Sequence, residues 1–518
     1  MMKKLPIGIS SLEKIVSGNY VYIDKTKHIS DLITQGGGFY FLSRPRRFGK
    51  SLLIDTIRQL FLAKQALFKG LYIEKYWDWQ IKHPVLHFTF GEGNATSAEM
   101  LDAKMARFLD EYYQNYQINN VYTEISSRFA YLIEQLAKKY SKVVILVDEY
   151  DKPILDNIDN LEIAKAMRGR LRNFYSVIKS QDLNIQFAML TGVSRFTKIS
   201  IFSELNNLND ISLDPHYADI CGYTQAELEQ GFKKHLQIGD VDSAKLTRWY
   251  NGYNFAGKDA QKVYNPFDIL LFIDKGYRYQ NYWFETATPT FLIKMIEKSR
   301  YFIPNLENII VIEDLLKTFD IDNMPIETLL FQAGYLTIKE ATTVGTQYAY
   351  VLTYPNLEVK ASLNGALATI ASNMTIKNQN LIRIAQAMQN NEFEQLQIIL
   401  SSHFASIPND WYRNNPIDQY EGFYASIVYS YLTALGYHTV AEDVTNQGRI
   451  DLSIIMPDKV LIIEFKLNRY GDAKEAIAQI KDKKYSQKYI ALSKPIYLIG
   501  MSFDPVGRNV IDLQVEKC

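Results

Sequence analysis

The stretch Gly448-Arg449-Ile450-Asp451, followed after twelve residues by Glu464-Phe465-Lys466, is the most informative feature of the C-terminal part of the chain. Two apolar runs flank Pro457-Asp458-Lys459, and this pattern predicts paired strands joined by a tight turn. Because side chains alternate along a strand, Glu464 and Lys466 share one face and Phe465 takes the other. Two carboxylates and a lysine at the end of a small sheet can hold Mg²⁺, or Mn²⁺ in its place, and steady the water or phosphate beside it.

This spacing resembles the PD-(D/E)xK nuclease superfamily, with Asp451 as the first acid and Glu464-Phe465-Lys466 as the (D/E)xK triplet. A helical pattern from 419 to 435 precedes the strands, and Glu421 lies beside its apolar stripe. The resemblance implies that Glu421 joins Asp451 and Glu464 in the metal site, and that Gln479, at the edge of a later helix, lies near Lys466. Ile450 replaces the proline that usually precedes the first acid. The alternative interpretation makes Asp451 a turn residue, and Glu464 and Lys466 ordinary solvated charges.

Composition bounds the partners of the chain. At 518 residues it should form more than one domain, and its 57 basic and 57 acidic side chains balance, so a nucleic-acid site must be a local patch. Two cysteines, Cys221 and Cys518, make no disulfide framework and favour a cytoplasmic location. No apolar run approaches the roughly 20 residues of a membrane helix, so we expect no membrane partner and no signal peptide.

A second constellation lies near the N-terminus, where an apolar strand runs into Arg44-Pro45-Arg46-Arg47-Phe48-Gly49-Lys50-Ser51 and a helical pattern follows. Strand, loop and a helix that begins at Gly49-Lys50-Ser51 form the context of a P-loop. The helix N-terminus would cradle phosphates, Lys50 would reach the β and γ oxygens, and Ser51 would bind Mg²⁺. Arg44 stands where the first glycine usually lies, and Arg44 and Arg47 would add positive charge near the phosphates.

The partner motif is the continuous apolar strand from 142 to 147, which ends in Asp148 and Glu149. Such a strand is typical of a buried parallel sheet and of a Walker B segment, in which Asp148 holds Mg²⁺ and Glu149 polarises the attacking water. A third strand, 185–190, leads to Arg195, which would either sense the γ-phosphate or pair with an acid. The alternative makes Gly49-Lys50-Ser51 a helix start and Asp148-Glu149 a solvated strand end.

The whole chain then resembles one family, the AAA-ATPase-like proteins with a C-terminal PD-(D/E)xK nuclease domain. This resemblance covers nearly all of residues 5–515 and implies ATP and Mg²⁺ as cofactors. It rests on six motifs: Tyr22-Ile23-Asp24-Lys25-Thr26, the loop 44–51, Val147-Asp148-Glu149-Tyr150-Asp151-Lys152-Pro153, Thr191-Gly192-Val193-Ser194-Arg195-Phe196, Trp249-Tyr250-Asn251-Gly252-Tyr253 and Tyr264-Asn265-Pro266-Phe267.

The predicted fold is α/β, with five successive parts. They are an AAA-like P-loop ATPase core with a parallel sheet (1–221), a helical lid (222–320), a winged-helix-like unit (321–365), a helical connector (366–408) and an α/β restriction-endonuclease-like PD-(D/E)xK domain (409–518). Thr224 and Glu227 predict a capped helix start in the lid. Trp249, Tyr250, Tyr253 and Phe255 either bind a base or, as we favour, pack the lid against the core.

The leading hypothesis is an ATP-gated or ATP-dependent nuclease that acts on nucleic acid, with DNA favoured over RNA. A second hypothesis is a nucleotide-switched scaffold that binds nucleic acid or protein without cutting. A third is an ATPase motor with a vestigial C-terminal domain. The sequence leaves the oligomeric state open. One possibility is a homo-oligomer in which an arginine of the neighbouring subunit contributes to the nucleotide site of the AAA-like core.

Overall fold

The computed structural model of the chain describes residues 2–35, 38–195, 207–257, 260–284, 292–293, 295–296, 302–317, 325–368, 374–405 and 421–518. The chain divides into two compact units, each assembled from two stretches. The N-terminal unit comprises Met1–Ala287 and Ile310–Asn356, and the C-terminal unit comprises Thr288–Ile309 and Leu357–Cys518. None of the helices in the described ranges is long and apolar enough to cross a lipid bilayer.

The core of the N-terminal unit is a five-stranded parallel sheet in the order β2-β3-β4-β1-β5. Every residue of β3 is buried, because helices cover parallel sheets on both faces. Strand β4 lies between β1, which precedes the P-loop, and β3, which ends at Asp148. The predicted strands at 142–147 and 185–190 are thereby confirmed. The strands are β1 (Phe39–Ser43), β2 (Val85–Thr89), β3 (Val143–Asp148), β4 (Ile185–Gly192) and β5 (Asn209–Asp210).

Helices along the first half of this unit carry apolar stripes that cover the sheet. The P-loop helix α3 begins at Lys50 and buries Leu53, Ile57 and Leu60, which belong to the predicted apolar pattern. The helices are α1 (Leu12–Ser17), α2 (Thr26–Gln35), α3 (Lys50–Phe61), α4 (Ala98–Asn115), α5 (Ile125–Lys139), α6 (Lys152–Leu155) and α7 (Leu161–Ser180).

The rest of the N-terminal unit is mostly helical and ends in a small sheet. The predicted helix start is confirmed, since Thr224 and Glu227 form a reciprocal capping box. The predicted helix followed by a hairpin is also present, and a further strand, β8, pairs with β10. The elements are β6 (Tyr223–Thr224), α8 (Gln225–Gly231), α9 (Lys233–Ile238), α10 (Ser243–Tyr250), β7 (Val263–Tyr264), α11 (Pro266–Asp274), β8 (Ile309–Ile312), α12 (Glu313–Lys317), α13 (Ile326–Ala333), β9 (Thr337–Val344) and β10 (Gln347–Thr353).

The C-terminal unit is built on a five-stranded mixed sheet in the order β11-β12-β13-β14-β15, in which only the β13–β14 pair is parallel. One apolar core joins this sheet to the helices before it, including Tyr424, Val428 and Phe465. The elements are α14 (Leu357–Ala368), α15 (Met374–Asn390), α16 (Phe393–Ala405), α17 (Glu421–Ala434), β11 (His438–Thr445), β12 (Gly448–Ile455), β13 (Val460–Leu467), α18 (Ala473–Asp482), β14 (Ile496–Asp504) and β15 (Asn509–Lys517).

The two units group the chain differently from the five predicted parts. The stretch Thr288–Ile309, predicted within the lid, and helix α14, which begins in the predicted winged-helix-like unit, both belong to the C-terminal unit. The expected boundary at 407–410 lies outside the described residues. The five-part division therefore stays a prediction.

Candidate active sites

The hairpin of β12 and β13 brings Asp451, Glu464 and Lys466 together. Leu452 pairs with Ile463, so Asp451 lies next to the start of this ladder, beside Glu464. The Phe465 backbone N–H donates to Asp451 Oδ2 at 2.8 Å, which fixes the carboxylate against β13. Lys466 Nζ lies 4.0 Å from Glu464 Oε1. The alternation expected of the strand is present, because the Phe465 ring joins the apolar core.

Helix α18 supplies the predicted glutamine. Its buried face consists of Ala473, Ala476, Ile477 and Ile480, the predicted apolar set. A Cβ at Gly500 on β14 would come within 1.9 Å of the Ala473 carbonyl oxygen, so the glycine permits the close approach of helix and sheet. Gln479 Nε2 donates to Glu464 Oε1. The structure thus brings Gln479 to the Glu464 carboxylate, where it orients one of the two oxygens.

Glu421, at the start of α17, faces a cavity of about 50 Å³ that Asp451 also lines. Burial raises the pKa of Glu421, and the Lys466 charge opposes that shift. Burial also raises the pKa of both Asp451 and Glu464, and the negative charges of their neighbouring acids add to the effect. The charged forms of these three carboxyl groups are therefore disfavoured, and a bound cation would stabilise them.

The fit of a metal ion can be tested on the side chains. Glu464 is 2% exposed, and its Oε2 has no hydrogen-bond partner within the described part of the chain. Such an orphaned buried oxygen suits a hard cation. However, no group of three or more His, Cys, Asp or Glu side chains in the described ranges is arranged to hold an ion. Asp451 instead accepts a hydrogen bond from the Phe465 N–H, and Glu464 accepts one from Gln479. Cation binding would therefore require rotations of these side chains.

Sequence reasoning missed one acid of this cavity. Glu442 on β11 lines it with Glu421 and Asp451, and its backbone has a left-handed φ of 50°. The residues on either side of Glu442 pair with Ile450 and Leu452, so Glu442 lies beside Asp451 across the ladder. Arg449 forms an ion pair with Glu442. Only the pairing of β11 with β12 places Glu442 here, and no motif in the sequence signals it.

The P-loop joins β1 to α3 as predicted. Gly49 precedes the helix with a φ of 95°, a left-handed conformation that favours glycine. Lys50 Nζ is buried and donates to the carbonyl oxygens of Arg44 at 2.8 Å and Pro45 at 2.9 Å. Burial lowers the pKa of Lys50, and the charge of Asp148 opposes this shift. Ser51 follows Lys50 on the first turn of α3, where the helix amides face outward.

The ends of β3 and β4 meet at the predicted Walker B acids. Asp148 Oδ1 accepts hydrogen bonds from Thr191 Oγ1 at 2.8 Å and from the Glu149 N–H at 3.1 Å. Glu149 has a left-handed φ of 54°. The nearby Asp151 accepts the N–H groups of Val193 and Ser194 at 3.0 and 2.6 Å. Thr191 and Asp151 hold the two strand ends together, and neither was assigned a role from the sequence.

The three predicted arginines have different surroundings. Arg44 is 1% exposed, donates to the carbonyl oxygens of Ser212 and Tyr217 at 2.8 and 2.9 Å, and lies over the Phe255 ring. These contacts favour a structural role over the phosphate contact that we predicted. Arg47 is exposed, and its guanidinium lies 4.9 Å from the Phe267 ring centroid. Arg195 pairs with Asp210 through Nε at 2.9 Å, the salt-bridge alternative left open by the sequence.

Beside Gly49 lies a largely apolar cavity of about 80 Å³. Its lining comes from the N-terminal segment, from α3 and from the chain before α8, and includes Tyr22, Leu52 and Tyr223. Two of the four aromatic residues that we expect to pack the lid against the core, Tyr253 and Phe255, pack edge-on against Phe48 in the P-loop. This contact agrees with packing as their role, which we favour over binding of a base. Phe196, the last residue of one quoted motif, lies outside the described residues.

Comparison with known proteins matches both ends of the chain. Residues 6–202 match a family described as Predicted AAA-ATPase (AAA-ATPase-like), and residues 419–513 match the PD-(D/E)XK nuclease superfamily. A relative from Azotobacter chroococcum mcd 1, named "Uncharacterized protein in vnfD 5'region", is 46% identical over 519 residues, covering 99% of each chain. The chain belongs to the AAA-ATPase-like family with a C-terminal PD-(D/E)xK domain.

Both sites fall inside the matched regions. The AAA-ATPase-like match contains the P-loop, Asp148 and Arg195, and the PD-(D/E)xK match contains Glu421 and Asp451 along with Glu464, Lys466 and Gln479. The predicted fold class is confirmed by these matches together with the parallel and mixed sheets. The two domains give the protein ATP-binding and nuclease potential.

Proposed function

We propose that this AAA-ATPase-like protein hydrolyses phosphodiester bonds of nucleic acid at its PD-(D/E)xK domain. The observation that carries the proposal is the convergence of Asp451, Glu464, Lys466 and Gln479 on one hairpin and one helix, with an orphaned oxygen on Glu464. A solvated charge pair would keep its oxygens in water. A buried carboxylate without a hydrogen-bond donor is instead a group that awaits a ligand.

Each side chain has a role that follows from its surroundings. Asp451 and Glu464 would hold Mg²⁺ or Mn²⁺, with Glu421 assisting, and the ion when bound would polarise a phosphoryl oxygen and a water. Lys466, about one-fifth exposed, presents a cation to the charge that develops on phosphate. Gln479 positions Glu464 through its amide, and the Phe465 N–H positions Asp451.

We further propose that Mg·ATP binds the P-loop and gates this nuclease. Lys50 would exchange its hydrogen bonds to Arg44 and Pro45 for phosphate oxygens, and Ser51 and Asp148 would hold Mg²⁺. Glu149 would polarise the attacking water. Arg195 would act through Asp210 and β5, which pairs with β1, rather than on phosphate directly.

The deciding experiment compares wild type with Lys466→Ala on mixed DNA and RNA substrates, with Mg²⁺ or Mn²⁺. Removal of a charge-stabilising donor should lower the cleavage rate by roughly 10²–10³-fold. Lys474→Ala is the matched control, because Lys474 is exposed on α18 of the same domain. Cleavage at the same rate by wild type and Lys466→Ala would exclude this site from the reaction. The same assay with and without a nonhydrolysable ATP analogue tests gating.

A nucleotide-switched scaffold without cleavage is the second candidate. The specific observation in its favour is that no described cluster of acids is arranged to hold an ion. ATP affinity without metal-dependent cleavage of any nucleic acid would support it, and cleavage that depends on Lys466 would exclude it. DNA as the substrate over RNA, and a cytoplasmic location in keeping with two free thiols, belong to the same proposal.

A further inference from the structure

A short segment of the C-terminal unit lines the cavity that Glu421, Glu442 and Asp451 share, which we call the acid cavity. Residues 302–307, which we call the strap, contain the 3₁₀ turn Ile303–Glu307. Phe302 and Pro304 line the same cavity of about 50 Å³ as Glu421, Glu442 and Asp451. Pockets that hold a small ligand measure roughly 300–1,000 Å³, so this space is too small for a nucleotide. In the conformation described here, the strap leaves no room for a nucleic-acid strand in this cavity.

Apolar contacts hold one end of the strap. Phe302 and Ile303 pack against the core that joins the sheet to its helices. A Cβ built on Gly422, in the first turn of α17, would lie 3.3 Å from the Phe302 ring. A larger side chain at position 422 would press on the ring. The residue directly after Glu421 therefore allows the ring to lie against the helix that carries this acid.

A partly buried ion pair holds the other end. Glu307 Oε1 lies 2.7 Å from Lys360 Nζ on α14 and accepts the hydroxyl hydrogen bond of Tyr429, which itself lines the cavity. The Glu307 and Lys360 side chains are 13% and 16% exposed. Lys360 also donates to the Thr439 carbonyl oxygen on β11 at 2.7 Å. This latch ties the strap to two elements that border the acids.

The position of the strap in the chain gives it a second property. It belongs to the stretch Thr288–Ile309, which interrupts the N-terminal unit in sequence. The chain leaves the ATPase-like unit before this stretch and re-enters it at Ile310. Both ends of the stretch are therefore covalently continuous with the unit that carries the P-loop, and movement there can act on the strap through the backbone.

We propose that the strap is an autoinhibitory lid, latched by Glu307 to Lys360 and Tyr429, which must leave the acid cavity before a nucleic-acid strand reaches Asp451. The identity of the entering strand rests on the proposed nuclease function. The closure itself rests only on the contacts of the strap. The ATPase-like unit, which flanks the strap in sequence, is the part of the protein placed to release it.

The test measures access to the acids, so that its readout does not depend on cleavage. Wild type, Phe302→Ala and Glu307→Gln are labelled at full length with a water-soluble carbodiimide and an amine, and each carboxyl is followed by mass spectrometry. We expect both variants to label Glu421 and Glu442 several-fold faster than wild type. Glu516→Gln is the matched control, because Glu516 pairs with Lys481 at an exposed position on the same unit.

The outcomes separate the strap from the nuclease. Faster labelling together with faster cleavage supports both, and faster labelling without cleavage by any form supports the strap and removes the proposed function. Unchanged labelling of Glu421 and Glu442 in both variants overturns the strap, even if wild type cleaves. Should Phe302→Ala melt at a much lower temperature than wild type, the isosteric Glu307→Gln decides alone.

Discussion

The P-loop and the acidic site of the PD-(D/E)xK domain differ in whether their charged groups already have hydrogen-bond partners within the protein. At the P-loop, Lys50 donates to two backbone carbonyls and Asp148 accepts from Thr191. At the acidic site of the PD-(D/E)xK domain, Glu464 keeps one oxygen without a hydrogen-bond partner in the described part of the chain, and burial raises the pKa of Glu421. Lys50 and Asp148 thus have hydrogen bonds already made within the protein, whereas one oxygen of Glu464 does not.

The two sites should therefore respond differently to their ligands. A buried group whose hydrogen bonds are already made must exchange them on binding, so the net gain is the difference between two sets of contacts. A buried carboxylate that has no hydrogen-bond donor in the free protein gains a partner for its charge when a cation binds. Divalent cations should therefore stabilise the nuclease-like domain strongly, whereas loss of an internal donor should be felt most at the P-loop.

The largest effect should come from Glu464→Gln. A cation at roughly 1,000 times its dissociation constant stabilises the form that binds it by about 4 kcal/mol. The variant should lose the Mn²⁺-induced rise in melting temperature altogether, while its metal-free form should be at least as stable as wild type, because a neutral amide replaces a carboxyl group whose ionisation burial already disfavours. Differential scanning calorimetry with and without Mn²⁺ measures both quantities.

Glu516→Gln serves as the control, since it removes an acid from an exposed pair on β15 of the same unit and should keep the response to Mn²⁺. If Glu464→Gln melts well below wild type without metal and still gains stability from Mn²⁺, then Glu464 is a structural group and the contrast between the two sites is lost.

The hairpin shows what could be predicted from sequence. The alternation of Glu464-Phe465-Lys466 and the turn at Pro457-Asp458-Lys459 are local patterns, so they predicted one hairpin that carries Asp451 and Glu464, whereas the role of Gln479 was implied by the family resemblance. Strand β3 was predictable for a similar reason, because an unbroken apolar run that ends in two acids fits a covered parallel strand.

Contacts between distant segments could not be predicted. Glu442 reaches the cavity only because β11 pairs with β12. Arg44 was expected near phosphate because it stands in the loop, yet the carbonyls of Ser212 and Tyr217, far along the chain, hold its guanidinium. The strap joins the C-terminal unit across an intervening stretch of the N-terminal unit, and no local pattern carries that information.

The next largest effect concerns pH and Asp151 at the end of β3. Burial raises the pKa of Asp151 to about 6, although the Ser194 N–H opposes the shift. Because the folded chain holds this proton more tightly than the unfolded chain, the stabilisation is fully present below about pH 4 and is lost as pH rises through 6. Asp151→Asn should remove this loss, roughly 2–3 kcal/mol between pH 4 and 7.

Denaturant unfolding followed by tryptophan fluorescence measures this prediction, since Trp77, Trp79, Trp249 and Trp283 all lie in the N-terminal unit. Asp156→Asn, which removes a partner of Lys152 in the same loop region, should keep the wild-type pH profile. A profile for Asp151→Asn that falls as steeply as that of wild type would show that Asp151 does not titrate in this range.

The smallest effect, and the sharpest test of an internally satisfied P-loop, is Thr191→Val. This change keeps the shape of the side chain but removes the hydroxyl that donates to Asp148 at 2.8 Å. Asp148 is 5% exposed, so the lost donor is not replaced by bulk water, and the free energy of unfolding should fall by about 1–2 kcal/mol. The Mn²⁺ response of the nuclease-like domain should remain that of wild type.

The exposed Thr34 provides the comparison, because its hydroxyl donates to the Ser30 carbonyl at 2.8 Å on the surface of α2. Thr34→Val should change the free energy of unfolding by no more than about 0.5 kcal/mol. Equal stability of the two valine variants would mean that Asp148 finds another donor. The hydrogen bond from Thr191 would then not be what stabilises Asp148. The P-loop would resemble the acidic site of the PD-(D/E)xK domain, in which a ligand has to supply the missing partner.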